Sequence, residues 1–252
     1  MNENKILGLG CRPDLPDQRD YLASGFLDFG GKPQEAVSLR DGFLPPRDQG
    51  NKNSCTGFAL TSFREYLETL DKYSLIKNRY VTEGYLSPLF VYNWERKMES
   101  TFDYDEGATL RSGLKVLRKY GVAKEGSFEY NDSNFYKLYE SNEETRLNRV
   151  FKFMRVDKNL IKSCLSLGFP IVCGVSLYTT FYKVGGDGVV QDPNRQTSLL
   201  GGHAMVIVGY DENYVELRNS WGENWGYSGY CFITWDYFYN NVFDLWTAVL
   251  WK

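Results

Sequence analysis

The chain has 252 residues, 42% hydrophobic and 24% charged, with 29 basic against 32 acidic side chains and a net charge of −3. Such a length suits one large domain or two packed lobes, burying roughly 70–75% of the surface exposed in the unfolded chain. The near-neutral balance leaves no basic stripe for a nucleic-acid backbone and no polybasic patch for a membrane, and no apolar run approaches the ~18 residues of a membrane span. The first ten residues lack the apolar core and small-residue cleavage site of a secretory signal, so the expectation is a soluble protein made in the cytoplasm, any export being non-classical. The five cysteines (Cys11, Cys55, Cys164, Cys173, Cys231) are an odd number without a Cys-x-x-Cys pair, which argues against a disulfide framework or a clustered zinc site. No metal and no cofactor is expected. The single histidine, His203, excludes any mechanism that needs two imidazoles.

Residues 1–36 are rich in Gly, Pro and Asp, as in Arg12-Pro13-Asp14-Leu15-Pro16-Asp17, and read as an irregular arm. From Cys55 onward Ala59, Phe63, Tyr66, Leu67 and Leu70 recur on one helical face. Ser87-Pro88 reads as an N-cap with proline in the first turn, opening a second helix through Tyr92 and Trp94. A third helix carries Leu110, Leu114 and Leu117 and stops at Gly121. Residues 157–167 read as one more helix. The strand-like runs then follow: Phe169–Tyr178, His203–Tyr210, Asn213–Arg218, Gly229–Thr234 and Leu245–Trp251. Helices first and antiparallel-looking strands later predict an α+β chain of two lobes, with the seam near residues 135–155.

Cys55 follows the polar loop Asp48-Gln49-Gly50-Asn51-Lys52-Asn53-Ser54 and opens the first amphipathic helix. The unpaired N–H groups and partial positive charge of a helix N-terminus favour a thiolate, the nucleophilic form of cysteine. Gln49 can fold back to set its amide beside the Cys55 N–H, giving two donors for an oxyanion. His203 heads a buried-looking strand after Gly201-Gly202, and a hairpin brings Asn219 alongside, where it can fix the imidazole tautomer and aim the other ring nitrogen at sulfur. Cys164, Cys173 and Cys231 lie in apolar runs and read as core, whereas Cys11 in the arm reads as exposed.

The segments 49–59, 202–210 and 219–230, in this order and with an interval of 148 from Cys55 to His203, resemble the cysteine, histidine and asparagine boxes of the papain-family (cathepsin-like) cysteine peptidases. Asp105-Glu106-Gly107-Ala108-Thr109-Leu110-Arg111 resembles the bacterial members. The resemblance covers residues 36–252 and implies a papain-like two-lobe fold: a helical lobe over about 41–145 and a β-rich lobe over about 146–252, both within a peptidase domain 37–252, with the cleft between them. It implies Cys55 as nucleophile, His203 as base then acid, Asn219 as its orienting partner and Gln49 as oxyanion donor. Gly107, with its neighbour Ala108, corresponds to the place where substrate pairs as a short antiparallel strand, and Trp221 to a shield over the Asn–His bond. Trp221 as plain packing and Gly107 as a helix start stay open. Lys52 and Thr56 depart from the family pattern: Lys52 stands where a disulfide-forming cysteine is usual, and Thr56 where an aromatic residue follows the nucleophile. The long helical propeptide of the family is not seen, leaving the arm as a short propeptide or a structural extension.

The expected activity is that of a cysteine-type endopeptidase on a peptide or protein substrate, acting as a monomer by default. A thiol acyltransferase or ligase on the same residues and a catalytically idle peptide-binding homologue are the alternatives. A thiolate–imidazolium pair of Cys55 and His203 is the expected resting state.

Overall fold

The structure is a computed structural model that describes residues 8–71 and 84–250. Residues 1–7 of the arm, and Trp251 at the end of the last strand read from sequence, lie outside the described residues. In chain order the elements are β1 (Cys11–Arg12), β2 (Val37–Ser38), α1 (Cys55–Asp71), α2 (Pro88–Met98), β3 (Ala108–Thr109), α3 (Leu110–Lys119) and α4 (Glu143–Leu147). They continue with β4 (Lys152–Arg155), α5 (Ile161–Ser166), β5 (Ile171–Tyr178), β6 (Leu199–Tyr210), β7 (Tyr214–Arg218), β8 (Tyr230–Thr234), α6 (Trp235–Asn241) and β9 (Val242–Val249).

The first half is helical for local reasons. Ser87 accepts the Phe90 N–H at 3.1 Å and Pro88 follows it, fixing the start of α2. Thr109 caps α3 by accepting the Ser112 N–H at 3.3 Å. Gly121 ends that helix at φ +77°, its N–H returning to the Val116 carbonyl, as its position in the sequence predicts. Leu60, Phe63 and Leu67 of α1 are buried against Phe90, Leu114 and Leu117 of α2 and α3, so the apolar stripe of each helix faces its neighbours.

The second half is an antiparallel sheet in the order β4-β9-β5-β6-β7-β8, with β2 added to β6. Both β5 and β6 are buried along most of their length because they are central, and Cys173, Val175, Met205 and Ile207 join one core cluster there. Cys164, Cys173 and Cys231 are buried and free, as read from their apolar settings. Two strands begin earlier than expected. β6 starts at Leu199, where Gly201 and Gly202 pair with Leu177 and Ser176, and β9 starts at Val242 opposite Val175. The glycines conceal the start of β6 because they carry no side-chain signal. The segment read as one helix over residues 157–167 is a 3-10 turn, Lys158–Leu160, running into the short α5.

The arm is not a loose extension. Ala23 is buried in the core of the sheet half, and Leu27 and Phe29 pack on it. Leu22 bridges to Arg155, and the Tyr210 hydroxyl donates to the Gln34 carbonyl at 2.6 Å. Its first described residues, 8–12, run between the helices and the sheet. Among the described residues no helix is long and apolar enough to cross a membrane.

Candidate active site

Cys55 is the first residue of α1, and Ser54 stands at the cap position with its carbonyl taking the Phe58 N–H. Across from it the sheet supplies His203 and Ala204 from β6. The Ala204 N–H donates to Cys55 Sγ at 3.3 Å, so sulfur and imidazole backbone are immediate neighbours. His203 Nε2 meets Asn219 Oδ1 at 2.8 Å, and the same oxygen takes the Ser220 N–H at 2.8 Å. The β6–β7 hairpin produces this contact, because its register places Val206 opposite Arg218, just before Asn219. Nδ1, the other ring nitrogen, is buried with no hydrogen-bond partner. Trp221 lies on the imidazole at 4.9 Å between ring centres and is backed edge-on by Trp225 at 5.1 Å.

Gln49 is held by both halves of the molecule. Its Oε1 accepts from the Ser220 hydroxyl at 2.5 Å, its backbone N–H donates to the Ser220 carbonyl at 2.9 Å, and its Nε2 donates to the Lys52 carbonyl at 2.8 Å. The structure therefore gathers Cys55, His203, Asn219, Gln49 and Trp221 around one point. Gly107 and Ala108 lie further along the cleft wall, and their backbones differ in what they do. The Gly107 N–H donates to the Tyr92 hydroxyl at 3.1 Å, while the Ala108 N–H donates outward to the arm, to the Gly10 carbonyl at 2.9 Å. Gly107 is needed for its φ of +75°, and a Cβ on it would fall 1.8 Å from the Gly10 carbonyl oxygen. It is a turn residue, and Ala108 is the one that pairs.

The positions that depart from the family pattern are occupied by substitutes. Where Lys52 removes the cystine, Asn53 clamps to Asp105. Its Nδ2 donates to the Asp105 carbonyl at 2.6 Å, its N–H to the carboxylate at 3.2 Å, and the Tyr92 hydroxyl donates to that carboxylate at 2.5 Å. Thr56 donates to Glu95 at 2.6 Å, both fully buried. Tyr130 adds a third brace, donating to the Gln49 carbonyl at 2.8 Å and pairing with the Ser54 hydroxyl at 2.7 Å. Sequence reasoning missed Tyr130 and the Asn53–Asp105 clamp. Asp105 heads the stretch that carries the family resemblance, but its role depends on a partner 52 residues away.

The cleft is occupied by the chain's own arm. Gly8 donates its N–H to the Gly50 carbonyl at 3.1 Å and accepts from Trp221 Nε1 at 3.4 Å. A Cβ on Gly8 would lie 2.8 Å from Gln49 Nε2, so the arm passes directly over the Gln49 amide. Gly10 bridges the two walls, donating to the Gly202 carbonyl at 3.1 Å and accepting from Ala108. Cys11 then pairs with Ala108 in a parallel ladder. Contrary to the expectation of an exposed thiol, Cys11 is 4% exposed, and burial, followed by its neighbour Cys55, pushes the thiol well above its usual range.

Occlusion governs the electrostatics of the pair. Cys55 and His203 have no exposed surface. Burial pushes the Cys55 thiol up to about 12, opposed by the Ala204 N–H and the first N–H groups of α1, with buried Glu95 adding to the rise. Burial pulls the imidazole down to about 4, the Asn219 bond opposing. With the arm docked, burial favours the uncharged form of both groups, because removing water penalises each charge.

Residues 38–241 match the family model described as papain family cysteine protease. The chain belongs to the papain family of cysteine proteases. Xylellain, a cysteine protease from Xylella fastidiosa, superposes over 100% of this chain and 99% of its own, with a TM-score of 0.84 at 30% identity. Digestive procathepsin L 3 of the Tenebrio molitor larval midgut shares the fold at 20% identity and a TM-score of 0.68, covering 97% of this chain and 76% of that one. An uncharacterised peptidase C1-like protein of Acanthamoeba polyphaga mimivirus is 34% identical over 73% of this chain and 62% of its own length. For mouse cathepsin J the figures are 24%, 88% and 61%. The chain thus spans about three fifths of the length of these two curated relatives. The α+β, papain-like fold inferred from the sequence is the fold observed, with the papain-family cysteine at the N-terminus of α1.

Proposed function

We propose that this protein is a cysteine-type endopeptidase held latent by its own N-terminal arm. The observation that carries the reading is the convergence of Cys55, His203, Asn219 and Gln49 at the centre of a cleft already filled by an extended peptide segment. On arm release water returns, and His203 Nδ1 takes the Cys55 proton. The thiolate adds to a substrate carbonyl, and the oxyanion is received by Gln49 Nε2, released from Lys52, and by the Cys55 N–H. The imidazolium then gives its proton to the leaving amine, forming a thioester. A water molecule, deprotonated by the same imidazole, attacks the thioester and returns the thiol. Asn219 keeps the ring in the tautomer that leaves Nδ1 free to accept, and Trp221 keeps water from that hydrogen bond. With one histidine in the chain, the histidine-based capture of a substrate terminus used by exopeptidases of this family has no counterpart, which favours internal cleavage.

The arm resists its own enzyme because of its direction. β1 runs parallel to β3, whereas a substrate in this family pairs antiparallel there, so the arm's peptide groups are reversed relative to a cleavable chain. The test uses Gly10, whose φ of +110° and whose absent Cβ, 2.4 Å from the Asn53 carbonyl oxygen, both forbid a larger residue in the docked arm. Full-length Gly10→Val should hydrolyse a peptide library and be alkylated by a peptidyl epoxide at Cys55 alone, at least tenfold faster than wild type. Cys55→Ala in that background should be inert. Labelling at another cysteine, or no turnover by Gly10→Val, would refute the reading.

A further inference from the structure

The arm is also a ligand whose side chains report what the cleft accepts. Cys11 occupies the place opposite Ala108, in a cluster that includes Val172, Ala204 and Trp246. The socket is shallow. The Phe243 ring lies across Gly174, within 2.1 Å of where a Cβ would stand, and reaches 3.4 Å from the corresponding point at Gly202. A side chain the size of cysteine fills it. The next residue, Arg12, faces the opposite way, and its guanidinium pairs with Glu99 Oε2 and reaches the Gly107 carbonyl at 3.4 Å.

Glu99 is placed as a receptor. It caps the end of α2, and its Oε1 is committed to the Thr109 N–H at 3.0 Å and the Thr109 hydroxyl at 2.8 Å. Those two bonds fix the carboxylate plane, leaving Oε2 aimed at the cleft with Arg12 as its cation. The carboxylate is 14% exposed while Arg12 is 42% exposed, so the acid belongs to the wall and the base to the visitor. Asp103 and Glu106 stand exposed on the adjoining loop and extend the negative rim. Once the arm departs, a half-desolvated carboxylate is left facing the groove without its partner, an arrangement that favours an incoming cation.

We propose that Glu99 makes this cleft select peptides carrying arginine or lysine immediately N-terminal to a small apolar residue. The step from arm to substrate rests on two regularities of extended chains. Residues in register across a ladder put their side chains on the same face, and neighbouring residues alternate faces in either chain direction. A substrate running antiparallel to β3 therefore seats one side chain where Cys11 sits, and its preceding residue falls where Arg12 sits. The proposal deepens the peptidase reading and rests on the cleft being a peptide-binding groove.

Binding separates the two ideas. Full-length Gly10→Val/Cys55→Ala, open and inert, is presented with a positional-scanning peptide library, and bound peptides are read by mass spectrometry. Arginine and lysine should be enriched about five- to tenfold over glutamine at one position, directly before alanine, cysteine or valine. Glu99→Gln in the same background keeps an acceptor for Thr109, so it should fold, lose the basic enrichment and retain the preference for a small neighbour. Glu99→Lys should turn the preference toward acidic residues. No bound peptide, no basic enrichment, or an enrichment unchanged in Glu99→Gln overturns the proposal. Basic enrichment that disappears in Glu99→Gln, together with no turnover by Gly10→Val, would count against hydrolysis and leave the Glu99 subsite standing.

Discussion

His203 is bonded at Nε2, bare at Nδ1 and sealed from water, and these facts set a measurable resting state. Because it is the only histidine, its imidazole NMR signals are unambiguous. In wild type the ring should titrate near 4, well under the reference of ~6.5, and in Gly10→Val it should rise toward or above the reference as water and the thiolate stabilise the cation. A ring pKa unmoved by Gly10→Val would mean that the arm does not control the pair. The same shifts make docking depend on pH. A depressed imidazole pKa favours the docked state fully above ~6.5, and that contribution is lost as pH falls toward 4. A raised thiol pKa favours docking fully below ~8.5, and that contribution is lost as pH climbs toward 12. Cys11, also pushed up, works in the same sense as Cys55, while Asp14, whose carboxyl burial raises, opposes His203 at the acid edge. Amide protection of Gly8–Arg12 should therefore be greatest between about pH 6.5 and 8.5. A plateau extending unchanged to pH 5 would contradict this account. Gln49→Ala in the opened enzyme should lower kcat by about 10²–10³, the usual loss for one oxyanion donor, with KM little changed. These residues were legible because each carries its chemistry in its own neighbourhood. Arg12 and Glu99, 87 positions apart and individually ordinary, were not.

Among the elements, the start of α1 is positioned by three braces on the loop before it. Asp105 grips Asn53, Tyr130 grips Gln49 and Ser54, and Ser220 grips Gln49 from the sheet. Together they tie the loop to the helices and to the sheet with bonds that reducing agents do not touch. Asp105→Ala in the opened enzyme should lower kcat about tenfold or more by letting the Gln49 and Cys55 donors drift, while Asp105→Asn, which keeps the backbone contact and one acceptor, should recover most of it. Equal rates in both variants would show that the clamp is dispensable. The helices could be read from sequence because caps and stripes are local signals: Ser87 accepts an N–H three residues on, and Gly121 returns its N–H to a carbonyl five residues back. The two-residue β1 could not. Cys11 and Arg12 become a strand only by meeting Ala108 and Thr109, a pairing set by tertiary structure and not by propensity.

At the scale of the molecule the arm fastens the helices to the sheet. Asp20 receives a bidentate grip from Arg111 of α3 at 2.6 and 3.1 Å and a further bond from Arg155 of β4 at 2.8 Å. Asp14 accepts the Arg111 N–H and the Trp246 indole N–H. Arg111 and Asp20 are each about one tenth exposed, so deleting one partner leaves a nearly buried charge alone. Asp20→Asn should cost about 3 kcal/mol and lower Tm by roughly 5–10 °C while raising peptidase activity, because the contacts that stabilise the fold also close the cleft. A lower Tm with activity unchanged would show that the node stabilises the fold without holding the arm shut. The reversed direction of β1 has a kinetic consequence. An arm that escapes cleavage is not consumed, and a segment joined to its site by a short tether competes there at an effective concentration on the order of millimolar, however dilute the protein. If the arm holds a peptidase latent as proposed, dilution alone cannot switch it on, and a substrate must either be locally abundant or arrive with something that pulls the tether away.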